Sequence, residues 1–224
     1  GVFMVSTIYI PLFIQGVTGG TATNSGLLLL PMMVTSSIAA AMGGALANKF
    51  SYKSIMIISS IIMGIGTVLL GTLEPSTSRW VLTIYMMIIG LGVGPSFSIL
   101  GMSAIQKATP QQRGIASSAS NFLRSLGMTL GITIFGVIQK NSFFDRLPES
   151  FKENAAGHDV RAILAPAMRQ YIPADVLKKI TVILSDSITT TFVWTLVPLA
   201  IAFVFIILMS KEKLTDSHMA QESK

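Results

Sequence analysis

The feature that most constrains this chain is a succession of six apolar segments with almost no charge inside them. They run roughly Val2–Gln15, Gly26–Ala47, Ser54–Leu73, Trp80–Ile105, Ile115–Gln139 and Ser187–Met209. A helix needs about 20 predominantly apolar residues to cross a bilayer, and five of the six are long enough. The first is too short, which predicts that it continues upstream of Gly1 and that the chain is part of a larger membrane protein. Charged residues are 12% of the chain, about half the share usual in soluble domains. The ten-residue alternation of a membrane β-barrel is absent. The fold class expected is therefore an all-α polytopic membrane protein, a six-helix bundle.

Turn chemistry separates the segments: Gly19-Gly20 with Asn24, Asn48-Lys49, Glu74-Pro75 and Thr109-Pro110. Lys49, Lys53, Lys107, Arg113, Lys211 and Lys213 all fall on one side of the resulting alternation, while the short opposite loops carry only Arg79. The positive-inside rule assigns the basic side, with the C-terminal tail 211–224, to the cytoplasm. Trp80 then sits at an outer membrane boundary, where an aromatic anchor belongs. The net charge of +6 follows from these flanking residues and does not suggest nucleic acid. Cysteine is absent, which removes disulfide and thiolate chemistry.

The organisation expected is five helices over 1–139, a long extracytoplasmic connection over 140–186, and a last span over 187–210. Within the connection, Val160, Ile163, Leu164, Ala167, Met168 and Tyr171 follow helical spacing, predicting an amphipathic helix on the membrane surface or capping the bundle. A second helical stretch starts at Pro173, with Val176, Leu177 and Ile180 on one side, and is placed to run straight into the last span.

Arg124 is the sharpest residue. It lies eleven residues past Arg113, so about 16 Å into the membrane at about 1.5 Å per residue. An arginine there costs at least about 2.5–3.5 kcal/mol on insertion scales, so it faces protein or a water-filled cavity. Ser117, Asn121 and Arg124 fall on one helical face at i, i+4 and i+7. Two readings stand: the wall of a transport pathway or a gating ion pair, and an arginine that snorkels outward or binds carbonyls structurally. Carboxylates are missing from the spans except Asp186 at the outer start of the last one. Tyr9, Gln15, Tyr85 and Phe97 are further polar or aromatic residues within spans, each a packing residue or a ligand contact.

Gly90-Leu-Gly-Val-Gly-Pro95 superficially resembles a phosphate-binding loop. That loop requires a preceding strand, whereas this one lies within an apolar span. Close helix packing with a proline kink is the physical reading, and Gly43-Gly44 and Gly127-x-x-x-Gly131 read the same way. Pro31 and Pro198 are further kinks within spans. Enzyme readings are weak: His158 and His218 lie far apart outside the spans, there is no G-x-S-x-G elbow, and no pair of intramembrane carboxylates exists for acid–base work. No metal site or cofactor is expected. A self-contained six-helix channel or scaffold component is the alternative from a different class.

Several of these residues also carry a family resemblance. The stretch Gln106-x-Ala108-x-Pro110-x-x-Arg113-Gly114-x-Ala116-Ser117-x-x-x-Asn121-Phe122-x-Arg124-x-x-Gly127 is similar to the segment entering the penultimate helix of the fourteen-helix drug:proton antiporters (EmrB/QacA-like) of the major facilitator superfamily. Tyr9-x-Pro11-x-x-x-Gln15-x-x-x-Gly19, then Gly26-Leu27 and Leu30-Pro31, resembles the first two helices of their C-terminal domain. Gly43–Lys49 resembles a degenerate copy of the family loop between the second and third helices of a domain, with Asn48 where the family carries an acidic residue. Gly90–Pro95 has the G-x-x-x-G-P core of the antiporter motif without its trailing glycines, and that motif belongs to the other half.

The resemblance implies the C-terminal half of a proton-coupled multidrug efflux antiporter working by alternating access. Its partners would be the N-terminal half of the same transporter, the lipid bilayer, small amphipathic drugs and protons. The first, second, fourth and fifth spans would line the pathway, with Arg124, Asn121 and Ser117 as a polar wall and Tyr9, Gln15 and Phe97 as further contacts. Gly90, Gly94, Pro95, Gly127 and Gly131 would supply close helix packing. The proton-binding acids would lie mostly in the other half. The location implied is the cell membrane.

Overall fold

A computed structural model describes residues 1–106, 108–147 and 174–209. Six α-helices form among them: α1 (Val2–Gly16), α2 (Ala22–Leu46), α3 (Tyr52–Gly71), α4 (Arg79–Gln106), α5 (Arg113–Asp145) and α6 (Ala174–Leu208). No strand occurs among the described residues. The helices α2 to α6 are long and apolar enough to cross a membrane, and α1 is a shorter apolar helix of 15 residues. The chain is a multi-pass membrane protein of the expected fold class.

Local chemistry sets the helix ends. Gly19 takes the positive φ of 70° that the α1–α2 turn requires. Thr21 then caps α2, its hydroxyl accepting from the Asn24 N–H at 3.3 Å. Ser51 does the same for α3 through the Ser54 N–H. Pro11, Pro31, Pro95 and Pro198 all lie inside helices that continue past them. Hydroxyls within the spans bond back to their own helix, as Thr35 does to the Pro31 carbonyl at 2.8 Å and Thr67 to Met63 at 2.8 Å. This keeps polar side chains satisfied where water is absent.

Helix α4 is the centre of the bundle. Both α2 and α3 pack along it, and α6 ties α3 to α5 and α1. The main core joins Phe13 and Ile14 of α1, Met86 and Ile89 of α4, and Leu184 and Phe192 of α6. A smaller cluster of Ala47, Tyr52, Ile55, Met56 and Ile99 closes one end of the bundle. Lys53 reaches from α3 at that end to the carbonyl of Ile207 near the end of α6. Lys49, Lys53 and Arg113 share this basic end.

At the opposite end the helices outrun the apolar segments. Helix α5 continues past Gln139 to Asp145, and α6 begins at Ala174 rather than near Ser187. The 140–186 connection is thus partly two helical extensions. The reason is side-chain pairing: Phe143 and Leu147 join Ile180, Leu184 and Ile188 in the core. Gln139 Nε2 donates to Ser187 Oγ at 3.1 Å, and Arg146 meets Asp186 at 3.4 Å and Thr190 at 3.2 Å. Val176, Leu177 and Ile180 run without a break into the last span, as their spacing predicts. The amphipathic stretch Val160 to Tyr171 lies outside the described residues.

Candidate functional site

The glycines of α4 define its tight side. Gly90 and Gly94 are four residues apart and share a face. A Cβ on either would clash with α2: on Gly90 with Thr35 Oγ1 and the Met32 carbonyl, on Gly94 with the Ser36 carbonyl and the Ala39 Cβ. Gly92, on the other face, lies against the backbone of Met63 in α3. Gly43 of α2 returns the contact, with a Cβ there 3.0 Å from the Cα of Pro95. Without side chains the backbones approach closely, which is how helices gain dispersion contact where lipid gives no hydrophobic drive. Ser59 of α3 bridges the same seam, donating to the Gly92 carbonyl and lying 3.5 Å from Ser96 Oγ.

The other side of α4 is open. A cavity of about 720 Å³ lies between α4, α5, α6 and the start of α1. Phe3, Val93, Phe97, Leu123, Trp194 and Pro198 are among its walls, and Arg124 is the single charged side chain lining it among the described residues. Arg124 turns from α5 toward α4, where Nη2 donates to the Phe97 carbonyl at 3.3 Å. Its guanidinium carbon stands 5.1 Å from the centre of the Phe97 ring. Phe3 of α1 meets that ring edge-on at 5.7 Å and 85°. A cation over an aromatic face is worth about 0.5–1 kcal/mol at exposed sites and about 2 when desolvated, so ring and carbonyl together offset part of the cost of holding the half-buried charge there. No carboxylate pairs with Arg124 among the described residues. The guanidinium has five N–H donors, so it retains capacity for an anionic or carbonyl partner within the cavity.

The residues singled out from sequence separate into groups. Arg124 and Phe97 come together, and Gly127 and Gly131 line the same cavity. Gly131 touches Gly1, but a Cβ on Gly127 would meet nothing within 4 Å. Gly127 therefore holds no neighbouring helix close among the described residues. Ser117 and Asn121 share the helical face by spacing, yet both are exposed and do not line the cavity. Tyr9 is buried at 5% exposure in the core, its hydroxyl near Gly136, and Gln15 is partly buried at the far end of α1. Neither reaches the cavity wall. Sequence reasoning missed Phe3, Trp194 and Ser59. The adjacent serines Ser59 and Ser60 within the apolar middle of α3 were the one available signal.

The described residues thus form a helical membrane bundle built on a glycine-sealed central helix, with an intramembrane arginine over an apolar cavity. Residues 1–132 match the family model described as Major Facilitator Superfamily, and the chain belongs to that superfamily. It is 39% identical over 233 residues to Multidrug resistance protein 3 of Bacillus subtilis (strain 168), which spans all of this chain and 46% of that protein. It is 31% identical over 234 residues to Multidrug transporter protein MdtP of the same organism, across 93% of this chain and 43% of that one. A third relative is the Uncharacterized MFS-type transporter Rv1877 of Mycobacterium tuberculosis (strain ATCC 25618 / H37Rv), at 26% over 211 residues, covering 94% of this chain and 30% of the relative. The chain spans about half the length or less of these curated relatives.

Proposed function

We propose that this chain is the C-terminal six-helix half of a multidrug efflux transporter, and that the whole protein is a fourteen-helix drug:proton antiporter. The observation that carries the reading is the 39% identity to Multidrug resistance protein 3 along the full chain, over 46% of that relative. The fold agrees in kind, since a half-transporter must leave surface for its other half. Helix α5 is the least covered of the long helices, with 11% of its apolar window buried. It also carries Ser117 and Asn121 on its exposed surface. Polar residues on a membrane helix are costly against lipid, which favours protein or water opposite them.

On this reading the substrates are amphipathic drugs, often cationic, and the coupling ion is the proton. The two halves rock about a site between them. Arg124 acts as a gating or pathway residue whose free donors meet a partner from the other half or from the substrate. Its Phe97 contacts hold the guanidinium ready in one of its positions. The basic end, with Lys49, Lys53 and Arg113, faces the cytoplasm, and the C-terminus lies there with it. The work is transport, not catalysis.

The test is dye efflux from cells that lack their own pumps and express the full-length protein. Efflux that follows an imposed pH gradient and stops when a protonophore collapses it is the expected result. Efflux that persists without the gradient would remove proton coupling. No efflux, together with a native membrane product of this chain's own mass, would return the six-helix channel or scaffold to first place.

A further inference from the structure

We propose that the groove between α2 and α3 seats one acyl chain of an anionic phospholipid, with the headgroup at Lys49. Helices α2 and α3 both pack on α4 more closely than on each other. This leaves a second cavity of about 290 Å³, floored by Leu91 and Pro95 of α4. Its walls are Met42 and Leu46 of α2 and Ile55, Ile58 and Ile62 of α3, with Phe50 at the mouth. Met42, Phe50 and Ile58 each keep more than half of their surface exposed, so the groove is open along its side. It runs from Leu46 to Ala39 on α2, seven residues or about 10 Å along the helix, which suits an extended hydrocarbon chain lying parallel to the helices.

Polar groups not committed inside the bundle sit only at the mouth among the described residues. Of the two serines in the groove, Ser59 is committed to the Gly92 carbonyl, deep beside α4. The other, Ser54, belongs to the first turn of α3, where its hydroxyl lies 2.9 Å from that of Ser51. Lys49 precedes Phe50 in the same turn and is exposed, while Lys53 is already engaged with the Ile207 carbonyl. The groove residues Phe50 and Ser54 thus bring the loop with exposed Lys49, the Ser51–Ser54 hydroxyl pair and the positive end of the α3 dipole to the end where the apolar slot opens. That arrangement recognises a molecule with an apolar tail and an anionic head. It disfavours a cationic drug, because like charges would meet at the mouth. The inference rests on the chain's crossing a membrane and is independent of the transport reading.

The test is native mass spectrometry of the full-length protein released from detergent after equilibration with phosphatidylglycerol or phosphatidylcholine. One phosphatidylglycerol should be retained in preference to phosphatidylcholine. Lys49→Gln should lower that retention by about fivefold, the effect of one lysine at an anionic lipid surface. Ile58→Trp, which fills the groove from an exposed position, should remove the tight adduct of either lipid. Equal retention of the two lipids, or retention unchanged by Lys49→Gln in a monodisperse sample, would overturn the proposal and leave only ordinary annular lipid. The readout needs no transport, so failure here and failure of the efflux assay are separate results.

Discussion

The two sides of α4 are built on opposite principles. Toward α2 and α3, Gly90, Gly92 and Gly94 remove side chains so that backbones meet, and Ser59 bonds across the seam. Toward α5 and α6, the large side chains Val93, Phe97 and Leu100 stand around a cavity, and a cation is held there by one carbonyl and one ring. In lipid, helices associate through packing and hydrogen bonds rather than by hydrophobic burial. The glycine side therefore carries the cohesion of the bundle. The cavity side contributes little cohesion and keeps space, charge and unused donors. One helix thus serves as a rigid spine on one face and as the wall of an open, cation-bearing cavity on the other.

The largest effect should come from breaking the tight side. Gly94→Ala places a methyl group against the Ser36 carbonyl and the Ala39 side chain, so α2 and α4 must separate. Overpacking typically costs about 1–3 kcal/mol, and here two backbones must move, so folded yield should fall sharply. Gly101→Ala is the control on the same helix. A Cβ there meets nothing within 4 Å, and alanine favours helix by up to about 1 kcal/mol over glycine. Detergent-solubilised yield and thermal melting of the two variants should diverge in opposite directions. Equal behaviour would show that the close approach of α2 and α4 is not what holds the bundle.

Smaller effects sharpen the same contrast. Ser59→Ala removes one hydroxyl from the α3–α4 seam without adding bulk. Interhelical hydrogen bonds of this kind average about 0.6 kcal/mol and reach about 1.7, so a modest drop in melting temperature is expected with the fold intact. Arg146→Gln at the other end should matter least. Its partner Asp186 and Arg146 itself are 55% and 43% exposed, and such pairs contribute about 0–1 kcal/mol. A loss of melting temperature from Arg146→Gln greater than that from Ser59→Ala would reverse the ranking, and would place cohesion in the α5–α6 extension instead of the glycine seam.

How far the sequence could be read depended on which force shaped each part. Apolar length located the spans: Ser54–Leu73 against the observed Tyr52–Gly71, and Gly26–Ala47 against Ala22–Leu46. It could not locate where α5 stops, because Phe143 and Leu147 pack with Ile180 and Leu184 beyond the apolar run, whereas the helical spacing after Pro173 did foretell the early start of α6. Arg124 was legible because a charge in a span is too costly to be incidental. Its contact with Phe97 was not, since that depends on how α4 and α5 lie side by side. Ser117 and Asn121 share its face by helical arithmetic. Yet only arginine is long enough to swing around the helix to α4, and the short side chains stay on the exposed surface. For Gly127 the spacing to Gly131 suggested packing, but spacing alone does not say whether a neighbour stands opposite.

Arg124 tests most directly whether the open side of α4 is the working side. The measurement is proton-gradient-driven dye efflux by the full-length protein carrying Arg124→Ala, with Arg124→Lys beside it and membrane levels matched to the unchanged protein. Efflux should fall by about tenfold or more for alanine, a barrier change upwards of about 1.4 kcal/mol. Lysine should recover only part of it, because a point charge keeps the cation but not the planar fork that stacks and donates together. Undiminished efflux by Arg124→Ala at normal membrane levels would contradict the account, and would make Arg124 a structural cation parked on Phe97.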